Sequence, residues 1–256
     1  MSNDPDILQK MFENPNALRR SLPKRFYTTV SLGEVEGGLS VLLDGRTVKT
    51  PAKKTLVLPN RPIADAVHGE WMRQGERIDP GTMPVARLSN TVVDAVAPDP
   101  APVLNEVPLY AETDLLVYRA AHPDELVERQ RERWDPIVEW ASDTLGARFV
   151  LAEGVMHVAQ PAEALAAFKA RIAPLKDPWT IAGLQLATAL SGSALLALAL
   201  LEGRLAPDEA WELSRLDENW NVEHWGADEE ARIAARYKQA DFEAAALLMG
   251  RAANVQ

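Results

Sequence analysis

Leu39-Ser40-Val41-Leu42-Leu43-Asp44-Gly45-Arg46-Thr47-Val48-Lys49 is the stretch whose reading decides the fold. Two strand-like runs flank an Asp-Gly pair. Both central residues of a two-residue hairpin turn must reach φ > 0, so residues 39–49 predict an antiparallel hairpin. Upstream, Arg25-Phe26-Tyr27-Thr28-Thr29-Val30 favours extended backbone through its aromatic and β-branched side chains. Downstream, Leu56-Val57-Leu58 predicts a further strand stopped by Pro59. Residues 1–23, polar and carrying Pro5, Pro15 and Pro23, read as a flexible N-terminal arm.

Helical spacing begins at Asn60, a good N-cap, with Pro62 in the first turn and Ile63, Val67 and Trp71 on one face. Pro84 to Val96 repeats the type, with Leu88, Val92 and either Ala95 or Val96 sharing a face. Residues 97–102 (APDPAP) predict a turn or short linker, and Leu115 to Tyr118 an isolated buried strand. Beyond this point the chain becomes helical. Pro123, Asp124 and Glu125 open a helix running to Gly146, with Leu126, Gln130, Trp134, Ile137 and Trp140 roughly on one face. Phe149 to Leu151 and Val155 to Val158 predict a small hairpin around Gly154, and Pro161 to Ile172 a short helix. Three helices follow: about 178–201, from Ala206 to Gly226, and from Asp228 to about Met249. The reading is α+β: a mixed α/β domain with antiparallel strands over 24–120, then an α-helical bundle over 121–256.

The 256 residues contain no Cys, which excludes a disulfide scaffold and thiolate zinc sites. The formal charge is −10, and it is uneven. Residues 1–100 hold 13 basic and 12 acidic residues, whereas 206–231 alone hold nine acids and one base, Arg215. Such a chain repels phosphate backbones, so nucleic acid is a poor partner. Asp4, Asp6 and Glu13 argue against a secretory or transit signal.

Ile181 to Leu201 is 21 residues without a charge, long enough to span a bilayer. Gln185, Thr188, Ser191, Gly192 and Ser193 dilute it, and its flanks are not basic, so a buried core helix is favoured over a membrane span. No phosphate-cradling glycine motif is present, and the histidines are scattered. Asp217, Trp220 and His224 share a helical face beside Glu223. A metal-dependent hydrolase using Asp217, Glu223 and His224 is therefore the alternative reading, against an acidic helix surface with a packed aromatic. Trp211, Trp220 and Trp225 fall inside the acidic block, a combination closer to a docking surface than to a catalytic pocket.

Several blocks, in order and spacing, resemble the ATP synthase assembly chaperones that bind the α subunit of the catalytic head. They are Arg25-Phe26-Tyr27; Gly38 through Leu43-Asp44-Gly45-Arg46 to Lys49-Thr50-Pro51; Glu70-Trp71; and Arg87-Leu88-Ser89-Asn90-Thr91. They continue with Glu112-Thr113-Asp114-Leu115-Leu116 and Tyr118-Arg119; Gln130 with Trp134-Asp135-Pro136; and Ser214-Arg215-Leu216-Asp217-Glu218 leading to Trp225-Gly226. The resemblance implies a chaperone rather than an enzyme, with no cofactor and no nucleotide of its own. It would hold the free α subunit and cover the surface that later meets β. It also implies an N-terminal mixed domain and a C-terminal orthogonal helical bundle. Family function is linked to an acidic position before the Trp-Gly pair, which maps to Asp217 or Glu218, with Glu223 a third candidate. Asn219 stands where some relatives have an acid. The expected partner-binding set is Asp217, Glu218, Glu223, Trp220 and Trp225, with Trp71 and Trp134 structural. Eukaryotic relatives enter mitochondria; this chain reads as a bacterial, cytoplasmic member.

Overall fold

The computed structural model describes residues 22–154, 157–226 and 228–251. All but the last two residues of the expected arm over 1–23 lie outside them. The chain separates into two compact units, Met1–Arg87 and Leu88–Gln256. This division lies earlier than the boundary at 120 expected from sequence, because residues 101–117 pack with the later helices.

In the first unit, β1 (Val30–Val35), β2 (Gly38–Leu43) and β3 (Arg46–Thr47) form an antiparallel sheet in that order. The predicted turn is present: Asp44 and Gly45 have φ of 46° and 79°. Asp44 does more than turn the chain. Its carboxylate accepts the backbone N–H groups of Thr28 and Thr29 and both hydroxyls, and these bonds hold its carboxyl at about 2. With those N–H groups taken, the ladder starts at Val30. The predicted strand over 25–30 thus gives way to one over 30–35. Leu56 to Leu58 bonds to the sheet as expected, Leu56 N donating to Val48 O and Leu58 pairing with Leu39.

Helix α1 (Arg61–Met72) starts where Asn60 Oδ1 accepts from Ile63 N. Its buried Glu70 accepts from Val85 N and Ala86 N at 2.8 Å each, closing the N-terminus of α2 (Pro84–Thr91). Burial nevertheless pushes the Glu70 carboxyl up to about 7. Beside it, Trp71 packs edge-on against Tyr27, whose hydroxyl donates to Trp71 O. The Glu70-Trp71 block therefore ties α1 to its surroundings.

In the second unit, α2 runs into a π turn over Val92–Val96, which buries Val96 rather than Ala95. Then come α3 (Ala101–Ala111), a 3-10 turn with β4 (Tyr118–Arg119), and α4 (Asp124–Leu145). After β5 (Ala152–Glu153) follow α5 (Ala162–Ile172), α6 (Pro178–Ser191) and α7 (Ala194–Leu201). The unit closes with α8 (Pro207–Ser214), α9 (Leu216–Trp225) and α10 (Glu229–Leu248). The predicted strand over 115–118 is mostly the 3-10 turn, and β4 pairs with β5 in parallel. That pairing replaces the hairpin expected around Gly154, of which Val155 and Met156 lie outside the described residues. Two predicted helices are each broken, at Gly192 and at Arg215.

Helix α6 is the centre of this unit, packed against α3, α7 and α10. Gly183 permits the closest approach: a Cβ there would lie 2.6 Å from Ala245 O on α10. Gly183→Ala should therefore force the two helices apart and cost about 1–3 kcal/mol, read as a lower midpoint in urea unfolding. An unchanged midpoint would mean the contact is not tight. Among the described residues no helix is long and apolar enough to cross a membrane.

Candidate functional site

Helix α4 supplies the platform. Its buried face carries Gln130, Trp134, Ile137 and Ala141, and its family-like residues each fix a neighbouring element. Gln130 Oε1 accepts from Ala120 N, while its Nε2 donates to Asp217 Oδ1 at 2.7 Å. Trp134 Nε1 donates to Leu213 O at 3.0 Å. Asp135 pairs with Arg119 at 2.7 Å, and that guanidinium also lies over the Trp134 ring. Helices α8 and α9 are thus held against α4 by polar contacts at both Leu213 and Asp217.

The expected partner-binding residues separate by exposure. Trp225 is 82% exposed at the end of α9, and Glu218 and Glu223 are exposed as well. Asp217 is half-buried, and its burial raises its carboxyl above the usual range, against the lowering effect of the Gln130 hydrogen bond. Trp220 is buried at 9% exposure and stacks on His224 with ring centroids 3.9 Å apart. Of the two structural tryptophans, Trp134 is fully buried and Trp71 partly so.

The acidic block is more neutralised than its composition suggests. Glu223 pairs with Arg129 at 2.8 Å and Glu218 with Arg215 at 3.2 Å. Glu229 pairs with Arg232 at 2.7 Å, and Glu212 lies 3.8 Å from Arg133. These exposed pairs add little stability, about 0–1 kcal/mol each. Their effect is on the local field: α4 lends cations, Arg129 and Arg133, that a count over 206–231 omits.

Metal chemistry finds no arrangement here. Asp217 faces Gln130, Glu223 faces Arg129, and His224 Nδ1 lies 2.7 Å from Trp220 O. The three side chains of the hydrolase reading therefore have three different partners, and no group of metal-holding side chains occurs among the described residues. Sequence reasoning missed the α4 platform as part of the site. The signal was present, since Gln130, Trp134 and Asp135 stand in one block, but it needed a partner helix to read it against.

Comparison with known proteins bears on this arrangement. The profile described as ATP12 chaperone protein matches residues 24–142. A solved protein of Agrobacterium tumefaciens is 44% identical over 96% of this chain and 95% of its own, with a TM-score of 0.83. The crystal structure of Atp12 from Paracoccus denitrificans is 38% identical, covering 89% of this chain and 97% of that one, with a TM-score of 0.79. Protein atp12, mitochondrial, of Schizosaccharomyces pombe is 22% identical over 220 residues, 81% of this chain and 75% of its own length.

Proposed function

Because the chain belongs to the ATP12 chaperone family, we propose that it assists assembly of the ATP synthase catalytic head by binding the unassembled α subunit. It would cover the surface of α that later meets β, a surface that left open invites self-association. The family is one of chaperones, not enzymes. The residues proposed for contact are Glu218, Glu223 and Trp225, with Asp217 acting through Gln130 to seat α9. A bacterial cytoplasmic setting fits the two bacterial relatives.

One observation carries the choice of surface: Trp225, at 82% exposure, ends an acidic helix and is anchored at its other end by Asp217. An aromatic kept in water at that cost is typical of a contact anchor. Trp220, buried under His224, is a packing residue in this reading. The surrounding charge sets encounter rate and orientation more than affinity.

Capture of the α subunit on the immobilised chain is the test. Trp225→Ala is expected to weaken capture about tenfold or more. Glu218→Lys should mainly slow association and reduce its sensitivity to salt. Asp217→Lys should weaken capture and also lower the thermal midpoint, because a cation then replaces the acceptor for Gln130. Capture unaffected by all three would remove this surface from the contact.

A further inference from the structure

A second surface lies in the first unit. A groove of about 580 Å³ is lined by Phe26, Leu43, Val48 and Trp71 together with Asp44, Arg46 and Lys49. Phe26 is 72% exposed. It sits edge-on to Tyr27 with centroids 5.5 Å apart, and Tyr27 in turn sits edge-on to Trp71 at 5.6 Å. Arg25 covers the Tyr27 ring at 4.5 Å and donates to Gln74 O. The exposed Phe26 ring thus rests on Tyr27, which is itself held by Trp71 and Arg25, and a ring backed by a fixed neighbour loses less freedom when something closes over it.

The polar features of the groove point to the chemistry of its occupant. Asp44, the acid in the lining, stays ionised under its hydrogen bonds from Thr28 and Thr29, but Arg46 and Lys49 outnumber it and make the lining net positive. Lys49 is held by Thr55 Oγ1 at 2.7 Å. The indole N–H of Trp71, shielded from solvent, has no acceptor among the described residues. Charge repeats the pattern on a larger scale. Residues 22–87 hold 10 basic and 7 acidic residues, net +3, whereas 88–256 hold 14 and 27, net −13.

We infer that this groove is a second client-contact surface, which takes an extended peptide segment carrying an apolar or aromatic side chain flanked by carboxylates. In naming the client as the source of that segment, the inference rests on the chaperone function proposed above. Its selectivity is opposite in sign to that of the α9 surface. One chain would then hold a basic region of its client with one unit and an acidic-apolar segment with the other. Two weak contacts on one client raise overall affinity through effective concentration, and either can be released first.

The experiment uses the intact chain and a fluorescein-labelled ten-residue peptide with one central phenylalanine and two carboxylates on each side. Its counterpart carries lysines at the four charged positions. Anisotropy should show saturable binding of the acidic peptide, and at least about tenfold weaker binding of the lysine peptide. Phe26→Ala and Arg46→Glu should each weaken the acidic peptide about tenfold, and Trp225→Ala should leave it unchanged. Both substituted side chains are exposed, and unchanged circular dichroism will verify that the variants fold. Equal binding of the two peptides, absence of binding, or indifference to both variants would overturn the inference. So would self-association in sedimentation equilibrium that Phe26→Ala disperses, since a second copy would then be the occupant. Failure to capture the α subunit with peptide binding intact would count against the proposed function and leave the groove standing. Loss of peptide binding alone would remove only the groove.

Discussion

Asp114→Ala is expected to destabilise the second unit by about 3 kcal/mol or more at neutral pH. The Asp114 side chain is fully buried and accepts from three donors: Ser193 Oγ at 2.7 Å, Leu195 N at 3.0 Å and Leu116 N at 3.0 Å. Ser193 is the N-cap of α7, so one carboxylate joins the 3-10 turn before β4 to the break between α6 and α7. Alanine leaves all three donors buried and unpaired, at about 1–3 kcal/mol each, offset in part by removing a buried charge.

The same residue gives the stability a pH dependence of known sign. Burial pushes the Asp114 carboxyl up to about 6, above the value near 3.9 expected in an unfolded chain. The native protein therefore holds this proton more firmly than the unfolded chain does. The stability so gained is present below about pH 4 and is lost as pH rises through about 6, by about 3 kcal/mol. Glu70, pushed up to about 7, acts in the same direction. Urea unfolding at several pH values between 4 and 8 should show a smaller loss with rising pH in Asp114→Asn than in the original chain. Parallel curves would mean that Asp114 does not titrate in this window.

Trp134→Ala is expected to cost about 3–5 kcal/mol, the range for removing a fully buried large aromatic. In a chain of this size that lowers the thermal midpoint by about 10 °C. The loss has three parts: core volume, the hydrogen bond to Leu213 O, and the surface on which the Arg119 guanidinium rests. Trp134→Phe keeps most of the volume and gives up the hydrogen bond, so about 1 kcal/mol is expected. Because Leu213 lies just before α9, both variants should also loosen α9, and capture of the α subunit should fall with them. Differential scanning calorimetry distinguishes the outcomes; a shift below about 2 °C for the alanine variant would show that the indole is not holding α8.

Much of this fold is legible in the sequence because its punctuation is strong. Asp44-Gly45, Asn60 before α1, Gly146 after α4 and Asp228 before α10 each stand where the structure uses them. Helix α3 was hidden by the same rules. Pro98, Pro100 and Pro102 read as a linker, yet Pro102 occupies the second helical position, where a missing N–H is harmless. Leu104, Val107 and Ala111 carry the helical spacing, obscured by the internal Pro108. Strand β1 was missed because Ser31, Gly33 and Glu34 have no strand propensity; tertiary pairing with β2 overrides it. At the proposed site, composition found the acidic helix and its exposed Trp225. It could not show that Asp217 turns toward Gln130, that Trp220 is covered, or that Arg129 and Arg133 reach the acids from another helix. Those facts depend on which side chains meet in space, and spacing along one helix does not contain them.

The interruption at Ser191-Gly192-Ser193 has a bearing on how the nascent chain is sorted. Unbroken, the uncharged stretch from 181 to 201 would form a rod about 31 Å long, close to the thickness of a bilayer's hydrocarbon layer. Gly192, left-handed at φ 68°, ends α6, and Ser193 caps a new helix, so the stretch is divided between helices of 14 and 8 residues, the first of which begins at Pro178. Each helix is too short to span. Ser191 and Ser193 also place hydroxyls where an inserted helix would meet lipid. Three small residues thus let the most apolar part of the chain serve as a core while keeping it a poor substrate for membrane insertion.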